Sequence, residues 1–78
     1  MWLKTKSTIT NLENGIRIKV FQDVEQHDYD NEFFWAVTLV IDIGITNYHY
    51  NMEKFDTEEE ANSYLKKIAK ALDAVPVE

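Results

Sequence analysis

Between positions 25 and 32 the chain reads Glu25-x-His27-Asp28-x-Asp30-x-Glu32, one imidazole and four carboxylates at short spacing. Such a donor mix suits an oxygen-preferring divalent cation, with His49 as a conceivable further ligand. The stretch lacks the central glycine and distal glutamate of a calcium loop, and acids in a polar segment are usually solvated. His27, Asp28, Asp30 and Glu32 are therefore read as a candidate partner-binding loop or weak metal site, with no metal and no cofactor assigned. His49 alternates with Tyr48 and Tyr50 and is expected to point away from the core.

Other chemistries find little to build on. Ser7 falls on a strand flank and Ser63 in a helical stretch, and neither sits on the glycine-rich turn of a nucleophile elbow. With Gly15 and Gly44 the sole glycines, no phosphate-cradling or dinucleotide loop can be assembled. The absence of cysteine excludes disulfides, thiolate metal sites and a thiol nucleophile. The reading is a protein that is not an enzyme.

The elements that would carry these residues follow from periodicity. A length of 78 residues allows one core, so residues 1–78 are read as a single domain, and 13% aromatic content argues against disorder. Asn14-Gly15 is the preferred pair for a two-residue hairpin turn. Placed there, it pairs Thr10 with Lys19, Ile9 with Val20, Lys6 with Asp23 and Lys4 with Glu25. Residues 16–25 alternate as Ile16-x-Ile18-x-Val20, a strand with one buried face, and residues 2–12 are its partner. After the polar segment Gln26–Asn31, residues 32–42 are apolar on nearly every position, as in a strand covered on both faces. A reversal at Ile43-Gly44 then sets Leu39 opposite Tyr48, Val37 opposite Tyr50 and Trp35 opposite Met52, in a strand over 45–55.

Thr57 with Glu60 fits a capping box, and Ala61, Leu65, Ile68 and Leu72, widened by Tyr64 and Ala71, form an apolar stripe. A helix is predicted over 57–73, followed by a short tail at 74–78 because Pro76 disfavours helical backbone at Val75. The fold class is thus α+β: a four-stranded antiparallel sheet with one C-terminal helix on one face (ββββα).

One helix can cover only one side of such a sheet. The opposite side is expected to carry Phe34, Ala36 and Val40, joined by Phe21 and Trp2, and to be too apolar for water. These five are the candidate interface, for a homodimer or another protein. The function expected is a small accessory or regulatory protein-interaction module using that outer face.

The alternative comes from charge. The net charge is −6, and residues 21–60 hold eleven acids against Lys54 alone. That distribution suggests an inhibitor imitating nucleic-acid phosphates toward a basic nucleic-acid-binding protein. Direct binding of nucleic acid is disfavoured by the same charge, although Lys4, Lys6, Arg17 and Lys19 cluster near the start. No apolar run reaches the length of a membrane span, and the first residues lack a signal-peptide pattern, so no membrane association and a cytoplasmic location are expected.

Overall fold

The computed structural model describes residues 1–77. Strands β1 (Trp2–Lys4), β2 (Thr8–Asn11), β3 (Ile16–Gln26), β4 (Asn31–Ile43) and β5 (Thr46–Phe55) precede helix α1 (Glu58–Ala71), and β6 (Val75–Pro76) follows it. They form one six-stranded sheet in the order β5-β4-β3-β2-β1-β6. All neighbours are antiparallel except β1 and β6, which run parallel. The α+β class with one C-terminal helix holds, but the sheet is mixed and has six strands rather than four.

Both additional strands have a local cause. Residues 2–12 do not run straight. The Thr5 N–H donates to the Thr8 carbonyl at 2.9 Å, folding β1 back on β2 so that Lys4 lies opposite Ile9. Lys4 and Lys6 consequently never meet Glu25 and Asp23, which face Glu32 and Phe34 across β4 instead. The expected tail is used as well. Leu3 pairs with Val75 and Lys4 with Pro76, and the Val77 N–H donates to the Lys4 carbonyl at 3.0 Å. Proline suits this position because β6 is an edge strand, where one missing donor breaks no ladder. Glu78 of that tail lies outside the described residues.

Next to their turns both hairpin registers differ from expectation by two residues, which preserves the facing of the side chains there. In the first hairpin Ile9 pairs with Ile18 and Asn11 with Ile16. The Asn11 carboxamide oxygen accepts from the N–H groups of Glu13 and Asn14 at 3.0 and 3.3 Å, which widens the loop to Leu12–Gly15. Asn11 thus competes with Asn14-Gly15 for control of the turn. In the second, Ile43 pairs with Thr46 and Leu39 with Tyr50. Gly44, at φ 60°, occupies the first position of a two-residue loop that demands positive φ there. A bulge between Val37 and Thr38 then resets the pairing, so Trp35 meets Phe55 rather than Met52.

The core lies between α1 and one face of the sheet. Ile9, Ile18 and Val37 from the strands meet Ala61, Leu65 and Ala69 from the helix. The small Ala61 and Ala69 let the helix approach closely, and Leu65 fills the gap between them. Full burial of a residue such as Leu65 or Val37 contributes about 1.5–3 kcal/mol. Ala71, expected in the apolar stripe, is exposed, and Ala69 takes that role. The helix starts at Thr57, whose hydroxyl oxygen accepts from the Glu60 N–H at 3.2 Å and whose proton goes to the Glu60 carboxylate at 3.0 Å. It stops in a Schellman arrangement: Ala74 N–H to Ala69 carbonyl at 2.9 Å, Asp73 N–H to Lys70 carbonyl at 3.3 Å. Asp73 is left-handed there, with φ 53°.

Candidate interaction surfaces

The acidic loop is a tight turn. Gln26 and Asn31 close the β3–β4 ladder, and the His27 N–H donates to the Asp30 carbonyl at 2.9 Å. Glu25 stands opposite Glu32, a like-charge pair that weakens strand pairing on its own. His27 Nε2 lies 3.4 Å from Glu32 Oε2, and one donor atom each from Glu25, His27 and Glu32 falls within 4.8 Å of the others. All three side chains are exposed, so water solvates the charges. Asp28 and Asp30 do not join this group. His49 sits opposite Val40, far along β4 from the turn. Nearby, Glu25, Glu32, Asp56 and Glu60 line one shallow pocket together with Phe34 and Lys54, so carboxylates from the β3–β4 hairpin and from the helix start converge at one end of the molecule.

The residues expected on the outer sheet face separate into three kinds. Trp2 belongs to the opposite side: it pairs with Asn11 and packs against the helix-side core. Ala36 and Val40 do lie on the outer face but are completely buried, as is Thr38 between them. This row of small side chains lies beneath longer neighbours from β3 and β5. The Thr38 hydroxyl donates to Asn51 Oδ1 at 2.8 Å, and Arg17 lies 3.5 Å from the Asp42 carboxylate. Phe21 and Phe34 are half-buried, each with an ammonium over its ring, Lys19 at 5.3 Å and Lys54 at 4.6 Å. The outer face is therefore an apolar floor under a mixed polar and charged cover.

Open apolar surface occurs instead on the helix side. A helix of 14 residues spans about 21 Å, whereas a strand of 13 residues runs about 43 Å, so α1 cannot cover β4 end to end. Beyond its reach the β4–β5 hairpin presents Ile43, Tyr48 and Tyr50, which are 62%, 57% and 68% exposed. Leu39 and Ile41, half-buried, form the floor beside them. At the other end of the same face, Val24 and Phe33 are opposite each other and exposed. Strand parity places Tyr48 and Tyr50 on the core face. The mismatch in length between helix and strands is the signal that reveals them as uncovered.

Four of the lysines gather elsewhere, with Asp73 beside them. Lys4, Lys6, Lys66 and Lys70 line an open cleft of about 600 Å³ between the β1–β2 turn and the last turns of α1. Ser7 is tied to the helix, its hydroxyl donating to Asn62 Oδ1 at 3.5 Å. Among the described residues no helix is long and apolar enough to cross a membrane. Compared with family models, curated proteins and solved structures, the chain shows no significant match.

Proposed function

We propose that this chain is a non-catalytic protein-interaction module that docks through the part of its sheet the single helix leaves open. The observation that carries this reading is the side-by-side exposure of Ile43, Tyr48 and Tyr50 on one hairpin. Tyrosine is well suited to such a role: its ring contributes apolar contact area while its hydroxyl tolerates water in the free state. The outer face is a weaker support for docking, since Ala36 and Val40 are already buried under their neighbours. An affinity capture comparing wild type, Tyr48→Ser/Tyr50→Ser and Phe34→Glu tests the assignment. Binding should be lost in the double variant and kept in Phe34→Glu; loss in Phe34→Glu alone would return the interface to the outer face.

A second reading has its own observation, the convergence of Glu25, Glu32, Asp56 and Glu60 at one end. There the chain would imitate a run of phosphates and occupy a basic groove. Binding of that kind weakens steeply as salt rises above ~0.1 M, where the screening length falls to about 10 Å. An affinity that holds constant from low to high salt would remove it.

A further inference from the structure

We propose that a second copy of this chain is the occupant of the open hairpin: β5 pairs antiparallel with the partner's β5 about a two-fold axis at His49, joining two six-stranded sheets into one. This rests on the docking surface assigned above and specifies its partner.

Strand β5 is an edge, with β4 on one side and, among the described residues, no strand on the other. A two-residue loop is closed by a hydrogen-bonded pair, here Ile43 with Thr46, so bonded pairs recur at Tyr48 and Tyr50. The backbone groups of Asn47, His49 and Asn51 consequently point outward, with no ladder partner. Edges of this kind are normally blunted by charge, proline or brevity. The opposite edge shows such protection, because β6 has two residues and one of them is Pro76. By contrast, residues 43–52 form the longest stretch of the chain without Asp, Glu, Lys or Arg, and they contain no proline.

The sequence of this edge is also self-complementary. Asn47-Tyr48-His49-Tyr50-Asn51 reads the same in both directions. An antiparallel pair centred on His49 sets Asn47 opposite the partner's Asn51, Tyr48 opposite the partner's Tyr50, and His49 opposite its own copy. The outward backbone groups of Asn47, His49 and Asn51 then face one another, and the tyrosine pairs fall at the closer, non-bonded positions. On the helix side, four tyrosines and two copies of Ile43 become one apolar surface. The bulge at Met52 ends the regular ladder just past Asn51, so the pairing-competent segment and the palindrome coincide. Each copy carries a net charge of −6, and an uncharged seam is where two such molecules can meet without opposing acids.

The chain lacks cysteine, so His49→Cys introduces one thiol per copy, and across the axis the two Cα atoms would stand about 5.5 Å apart, within disulfide range. Mild oxidation should link this variant far faster than Lys67→Cys, whose thiol would sit on the exposed face of α1. Sedimentation equilibrium from about 1 µM to about 1 mM should show a monomer–dimer equilibrium for wild type, weakened about tenfold or more in His49→Lys, which opposes two ammonium groups. Far-ultraviolet circular dichroism confirms that each variant is folded. A wild type that stays monomeric, or a dimer indifferent to His49→Lys that does not link at His49→Cys, would overturn the proposal. If the wild type is monomeric while capture of another protein still depends on Tyr48 and Tyr50, self-pairing fails and the docking surface stands.

Discussion

The Asp42 N–H donates to the Gly15 carbonyl at 2.9 Å, and a Cβ built on Gly15 would lie 3.0 Å from the Asp42 carbonyl oxygen. The loop after β2 is thus clamped against the end of β4, and Gly15 combines this close approach with a φ of 64°.

Gly15→Ala should destabilise the fold by about 1–2 kcal/mol, from the left-handed backbone and the contact together. Gly44 has the same sign of φ but nothing within 4 Å of its added Cβ, so Gly44→Ala should cost only the backbone term, about 1 kcal/mol. Urea unfolding checks the ranking. Equal midpoint shifts for the two variants would mean that the Asp42 contact contributes nothing.

Asp73→Gly should raise stability by about 0.5–1 kcal/mol. The Schellman arrangement places this residue in the left-handed region, where glycine has no steric cost, and Asp73 makes no ion pair among the described residues. Thermal unfolding of the variant should shift upward by a few degrees. A downward shift would show that the carboxylate contributes more than its backbone strain costs.

Trp2→Ala should lower stability by about 1–3 kcal/mol and leave association unaffected in the folded protein, because Trp2 packs against the helix-side core. Urea unfolding gives the first quantity and sedimentation of the folded variant the second. Loss of association in a fully folded variant would put Trp2 back in an interface.

What was legible in the sequence is mainly parity. Ile9, Ile18 and Val37 face the helix as their alternation indicates, and a two-residue register shift leaves that unchanged. The helix was legible from its Thr57 cap and its apolar spacing. The reversal at Thr5-Lys6-Ser7 was not, because it contains no glycine, proline, asparagine or aspartate to mark a turn. Nor was β6, since a two-residue parallel pairing has no periodicity. The burial of Ala36 and Val40 escaped for another reason: alternation along a strand says nothing about whether side chains on the neighbouring strands are long enough to lean over it. The polar composition of Gln26–Asn31 marks a loop, but Gln26 and Asn31 belong to the β3–β4 ladder, and strand pairing, which sets Glu25 beside Glu32, decides which of the acidic residues come together.

The parallel contact of Leu3 with Val75 has a kinetic consequence. Every other strand pairing joins neighbours in the chain and can form by zipping outward from a short turn, at small entropic cost. The β1–β6 contact must instead close a loop of almost the whole chain. Its closure entropy should make it the last strand pairing to form and the first to open. Amide exchange at Val77, whose N–H is held by Lys4, should therefore report local opening well below the global unfolding free energy, while Val37 and Val40 report the global event.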